Sequence, residues 1–252
     1  MASTGAGGVG STGAGGAAAA GTSGSANGNT GGAGGGAGAG GSAGGTGAGG
    51  NGADAGGSDG SQDASGVCPS GIVMSGQVEM PLRGLVFGID LQTDICPQGE
   101  VLRGYVGSTG NRQLDVLQAL CGRVEFFQAA LTCQIAIRAG TMMPRRGNAT
   151  STSPWLMQCP TNEVMVVAHG RAGGRIDALG MECAPLVLSG SSSTGFQLSI
   201  GSLTSLGPEG GPAGTPFRDA CPAGQVASGS KSNYNGSIST YQLLCATPTL
   251  VP

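Results

Sequence analysis

Three stretches of the chain alternate apolar and polar positions on the way to a cysteine. Counting back from Cys121, Cys183 and Cys245, the residues two before are Ala119, Met181 and Leu243. Those four before are Leu117, Leu179 and Tyr241, and those six before are Asp115, Asp177 and Ser239. A period of two places each set on one face of a strand, and an apolar face is a buried one. Upstream, Val101, Val164 and Val226 each stand at the same step after a Cys-Pro pair. Between the two halves lie the glycine-rich stretches VGSTGN, HGRAGGR and SNYNGS. Each unit therefore reads as strand, turn and strand, which predicts three hairpins.

The hairpins are copies of one segment. It runs Cys96 to Cys121, Cys159 to Cys183 and Cys221 to Cys245, and its openings recur at a nearly constant spacing. A fixed period of this kind decides the architecture before any single residue does. The connecting segments repeat as well. Met80-Pro81-Leu82-Arg83-Gly84 and Met143-Pro144-Arg145-Arg146-Gly147 place their prolines at the same distance before Cys96 and Cys159. A looser copy, Leu206-Gly207-Pro208-Glu209-Gly210, precedes Cys221. Proline followed by glycine predicts the turn of a second, outer hairpin.

Counting by this period, unit one is 96–158 and unit two is 159–220. What remains, 221–252 with 67–95, adds up to the length of one further unit. The third unit is thus expected to be split between the two ends of the domain. Its N-terminal strands would pair beside the C-terminal ones, which removes exposed sheet edges.

Residues 1–66 differ in kind. They are nearly all Gly, Ala, Ser, Thr and Asn, without Lys, Arg, Cys or an aromatic residue. Such a segment has no apolar surface to offset ordering entropy and is expected to be a disordered linker. Residues 67–252 hold all 11 Lys and Arg, so their charge is near zero. Without a basic excess, nucleic acid is not an expected partner. No run of 18 apolar residues is present, so no transmembrane helix is expected.

All eight cysteines fall in 67–252. Their even number and regular spacing predict a disulfide framework made in an oxidising compartment. The repeat pairs Cys96 with Cys121, Cys159 with Cys183 and Cys221 with Cys245. Cys68 and Cys133 remain, at equivalent places in units three and one. They either bridge the two units or stay as two free thiols. The opening MASTGAGGVG lacks the basic and apolar regions of a secretory signal. A removed signal, of the lipoprotein kind, reconciles this with an extracellular or cell-surface location.

Three four-stranded Greek-key units around a pseudo-threefold axis resemble the β-prism I fold. The Cys-Pro openings and closing cysteines resemble vitelline membrane outer layer protein. The stretch Gly170 to Gly180, GRAGGRIDALG, is similar to the Gly-x-x-Gly…Ile-Asp-x-Leu-Gly stretch of jacalin-like lectins. Gly173-Gly174-Arg175-Ile176-Asp177 also fits the Gly-x-x-x-Asp spelling of their sugar-site loop. The resemblance covers about residues 67–252. It implies an all-β prism and carbohydrate recognition without catalysis.

The residues offer little to an enzyme. His169 is the only histidine, and beside Gly170 it is expected in a turn. No Gly-x-Ser-x-Gly elbow lies in 67–252, and no Cys-x-x-Cys pair marks a zinc site. No metal or cofactor is expected. Arg145 and Arg146 read as neighbours in a solvated turn. Binding has better material: neutral sugars are held by Asp or Asn, by backbone amides that glycine leaves open, and by an aromatic or aliphatic platform. The hairpin turns supply candidates: Gly170, Arg171, Gly174 and Asp177 in the second, Asn111 and Asp115 in the first, Asn233, Tyr234 and Asn235 in the third. The repeat-equivalent placing of Asp115 and Asp177 equally fits a structural role. A structural envelope or matrix protein is the alternative to a lectin.

Overall fold

The computed structural model describes residues 67–87, 90–110, 112–147 and 153–252. The low-complexity segment 1–66 and Asn111 lie outside the described residues. What is described is all β-strand and turn. In chain order the strands are β1 (Gly71–Glu79), β2 (Arg83–Gly84), β3 (Gln92–Ile95), β4 (Glu100–Gly110), β5 (Gln113–Ala129), β6 (Thr132–Met142) and β7 (Arg146–Gly147). There follow β8 (Ser153–Gln158), β9 (Glu163–Ala172), β10 (Ile176–Ser191), β11 (Gly195–Ile200), β12 (Thr204–Gly210), β13 (Thr215–Ala220), β14 (Val226–Asn235) and β15 (Ser237–Val251).

They form three antiparallel sheets with one topology. The first runs β6-β5-β4-β8, the second β11-β10-β9-β13 and the third β1-β15-β14-β3. In each, a further strand continues the outer one along the same neighbour: β7 on β5, β12 on β10 and β2 on β15. Each sheet is thus four strands wide, and the last strand returns beside the first, a Greek key. The fold is a β-prism I. In the third sheet the chain's C-terminal β14 and β15 pair with N-terminal β1, β2 and β3, and Gly71 lies opposite Val251. Where the other sheets have a hairpin turn, this one has the two ends of the domain.

The strands with the two-residue period point inward. Leu117, Ala119, Leu179, Met181, Tyr241 and Leu243 lie in one buried cluster drawn from all three sheets. At its centre the Tyr105 and Tyr241 hydroxyls are 2.8 Å apart. Burial pushes the Tyr105 phenol up to about 12, and Tyr241 is raised as well. Val101, Val164 and Val226 belong to a second cluster, with Ile72, Val124 and Ile137. The Cys-Pro openings explain their place. The carbonyls of Pro97, Pro160 and Pro222 accept the N–H groups of Glu100, Glu163 and Gln225. Gly99, Asn162 and Gly224 supply the positive φ these turns require.

The disulfides are Cys96–Cys121, Cys159–Cys183, Cys221–Cys245 and Cys68–Cys133. The first three lie in or against the inner core. The fourth joins the approach to β1 with β6 and is half-exposed.

Two expectations need correction. The Pro81 and Pro144 segments are not outer hairpin turns. Each interrupts an outer strand, at 80–82 and 143–145, and the chain resumes along the same neighbour. Proline removes a ladder donor, so it breaks the strand without reversing it. Nor is Arg146 solvated. Its Nε and Nη2 donate to the two Asp94 carboxylate oxygens at 3.0 and 2.6 Å, and Asp94 is buried. Its repeat-mate Arg83 grips buried Asp219 in the same two-pronged way, with its guanidinium 5.4 Å from the Phe217 ring centre. Both pairs cross from one sheet to the next. At the third junction the equivalent positions are Glu209 and Met157, and Met157 Sδ packs at Gly207 instead.

Candidate functional site

The three inner hairpins share a bulge. In β5 Leu114 and Val116 face Thr109 and Ser108, which leaves Asp115 as the extra residue. Asp177 is the extra residue in β10, and Ser239 in β15. These are the three positions that the repeat makes equivalent ahead of the closing cysteines. A bulge re-aims its side chain and frees backbone groups. Here the freed carbonyls receive the outer strand: Gly211 N–H donates to Asp177 O at 2.8 Å and Leu85 N–H to Ser239 O at 3.2 Å. The residue beside each carbonyl is a glycine with positive φ, Gly84 at 80°, Gly147 at 97° and Gly210 at 127°. The repeated position is therefore structural through its backbone. Its side chain is left over for something else.

The fate of that side chain differs among the units. Ser239 is buried, and its hydroxyl donates to Asn233 O and Oδ1 at 3.2 and 2.8 Å. Unit three spends the position inside. Asp177 is half-buried, and its carboxylate accepts no hydrogen bond from the described residues. Its Oδ2 lies in a slot between two glycines: a side chain would begin 3.6 Å away at Gly173 and 2.4 Å away at Gly214. Arg171 fixes the wall of this slot, donating from Nε to Ala213 O at 2.9 Å and from Nη2 to Gly214 O at 2.7 Å. Burial raises the Asp177 carboxyl above its ordinary value, and the Arg171 charge works against that. Asp115, half-buried, is the corresponding carboxylate in unit one.

The other candidates distribute unevenly. Gly174 is exposed in the second turn, 3.9 Å from Leu85 Cδ1 at the position where its side chain would begin. Arg175 of that turn donates from Nη1 to Ser237 Oγ at 2.5 Å, which ties the second turn to the third. Tyr234 and Asn235 are exposed on the third. Gly170 is not a turn residue. It lies buried in β9, where a side chain would begin 2.1 Å from Ala178 O. Asn233 is fully buried and serves Ser239, so it presents nothing to a ligand. His169 is also in β9, with its ring over Gly180 rather than in a turn. The glycine-rich stretches misled because strand glycines permit close approach as well as turning. Sequence reasoning missed Gly214 and the 211–214 loop. The Gly-Pro-Ala-Gly spelling of that loop was its one visible sign.

No protein-family model matches the chain, and no curated protein does either. Solved structures do. A mannose-binding jacalin-related lectin from Ananas comosus is 17% identical, over 69% of this chain and 100% of its own, with a TM-score of 0.43. The mannose-binding lectin from Champedak is 13% identical, over 68% and 98%, with a TM-score of 0.45. Calsepa lectin, solved with a biantennary N-glycan, is 12% identical over 70% and 98%, with a TM-score of 0.43. The similarity to vitelline membrane outer layer protein rests on the cysteine pattern alone.

Proposed function

We propose that the chain is an extracellular, non-catalytic glycan-binding protein, with its site at the second hairpin turn. The observation that carries this reading is the Asp177 carboxylate, half-buried and unserved by the described residues, in a slot lined by glycine backbone. Keeping a carboxylate there costs stability unless donors reach it, since an unpaired, partly desolvated charge is unfavourable. Sugar hydroxyls are such donors. Gly173 and Gly174 place no side chain over the slot, the Gly173 N–H being spent on Arg175 O at 2.9 Å, and Arg171 holds the opposite wall. The four disulfides fit an oxidising compartment.

The test uses the full, oxidised chain on a broad glycan array, followed by calorimetric titration of the best responder. Asp177→Ala and Asp177→Asn are expected to weaken binding at least tenfold, the scale of a hydrogen bond to a charged group. Because the folded state raises this carboxyl, its charged form opposes folding at neutral pH. Asp177→Asn should therefore match or exceed the wild type in thermal stability at pH 7. Sugar binding that survives both substitutions would overturn the reading.

A second reading, an envelope or matrix protein, is favoured by one feature. The outer face of the first sheet exposes Met142 at 61% and Leu156 at 63%, beside half-buried Val106 and Leu120. Under that reading sedimentation velocity shows concentration-dependent self-association that Leu156→Lys with Met142→Lys abolishes. A monomer at all concentrations removes it.

A further inference from the structure

The three sheets lay equivalent residues on their outer faces, so the chain supplies its own control. In the first sheet Gln118 donates from Nε2 to Met143 O at 2.8 Å, and in the third Gln242 donates to Met80 O at 2.7 Å. Each glutamine braces the outer strand. The second sheet has Gly180 at that position, opposite His169. The imidazole lies directly on it: a Gly180 side chain would begin 2.3 Å from His169 Cε1. Loss of the brace accompanies a shallow, open cleft of about 380 Å³, reaching from Arg171 past His169 to Arg218.

The side chains around this cleft are not required by the fold. Position for position, the first sheet carries Val106, Leu120, Met142 and Leu156 where the second carries His169, Glu182, Ser205 and Arg218. The third folds with Lys231, Leu244, Glu79 and Thr93 there. In the second sheet Arg218 donates from Nε and Nη2 to the Glu182 carboxylate, both at 2.7 Å, while its side chain stays 51% exposed. Such a pair on a surface contributes little to stability. It does hold the guanidinium in one orientation, with Nη1 left over. Ser205 Oγ stands 3.5 Å from His169 Nε2, and Pro208 and Pro216 add apolar edges.

This is a field of fixed donors and acceptors with apolar borders. Its formal charges cancel, Arg171 and Arg218 against Glu182 and Asp177. A neutral polyol matches it, because each hydroxyl both donates and accepts. Arg171 joins the cleft to the Asp177 slot, since it lines the one and walls the other. The geometry points to a second saccharide subsite on the outer face of the second sheet. The protein then recognises a neutral oligosaccharide, one unit at Asp177 and the next units over His169 and Arg218. This rests on the Asp177 reading and extends it.

The experiment compares, by titration on the full chain, the methyl α-glycosides of mannose, galactose and glucose with their linear trisaccharides. The wild type is expected to bind one trisaccharide about tenfold or more tightly than its monosaccharide. The double variant His169→Val with Gly180→Gln installs the residues the first sheet already uses. It should keep monosaccharide binding while the trisaccharide advantage falls to about one. Arg218→Thr, which imports the third sheet's residue, should reduce the advantage in the same direction. A wild-type ratio near one, with monosaccharide binding that Asp177→Ala abolishes, overturns the subsite and leaves the Asp177 reading standing. A ratio unchanged in both variants also overturns the subsite. No binding of any of the six saccharides to the wild type overturns both. The wild-type ratio needs no variant, so a misfolded substitution does not block the outcome.

Discussion

Gly84→Ala is expected to destabilise the prism by about 3 kcal/mol or more, combining left-handed strain of about 1–2 kcal/mol with overpacking of similar size. Gly84 has φ of 80°, and a Cβ there would sit 2.0 Å from Ser239 O. That oxygen is backbone, and it already accepts Leu85 N–H. Neither partner can move without breaking the contact that holds the outer strand to the bulge. At roughly 2–4 °C per kcal/mol for a domain of this size, melting should fall by about 10 °C. Gly236→Ala is the control. It has φ of 76° but nothing within 4 Å of a new Cβ, so only the left-handed strain of about 1–2 kcal/mol applies. Thermal unfolding of the two variants separates the causes. Equal losses would show that the approach to the bulge carbonyl has no special cost.

Reduction of the disulfides should unfold the chain. Each inner bridge closes 24 or 25 residues, worth about 3 kcal/mol in the chain-entropy model. Three of them together approach the whole stability of an ordinary domain, about 5–15 kcal/mol. Cys68–Cys133 closes 65 residues and is worth about 4 kcal/mol on the same model. It differs in access, being half-exposed while the inner bridges pack in the core. Mild reductant on the native chain should therefore open Cys68–Cys133 first, and the prism should stay folded. Reduction in denaturant, followed by its removal, should leave the chain unfolded. Alkylation with mass mapping reads the order, and far-ultraviolet circular dichroism reads the fold. Opening of an inner bridge before Cys68–Cys133 would contradict this ordering.

Much of the fold was legible because repetition removes ambiguity. One strand with Leu117, Ala119 and Cys121 on a face is a weak signal. The same face recurring through Leu179 and Met181, then Tyr241 and Leu243, fixes period and register together. The segments left over at 67–95 and 221–252 make up one unit between them, and so the third unit had to draw on both ends. The glycines were not legible. Gly107 lies under the Trp155 ring, Gly170 against Ala178 O, Gly84 against a bulge and Gly236 at a turn in open space. Sequence gives these four one letter, and only neighbours from other strands distinguish them. Arg146 was misread for the same reason, since Asp94 is 52 residues away.

The candidate site divides along the same line. Asp115, Asp177 and Ser239 announced themselves as equivalent, and their shared backbone role follows from that equivalence. That Ser239 turns inward to Asn233 while Asp177 faces a glycine-lined slot depends on the 211–214 loop, which folds back from β12. The His169 cleft depends on four strands meeting around Gly180. By itself the sequence determined the repeat, the inward faces and the pairing of the three inner disulfides, because these rest on periodicity and local spacing; that Cys68 bridges to Cys133 came from the tertiary structure. The tertiary structure decided which polar groups are satisfied and which are left open, because satisfaction is set by partners far apart in the chain.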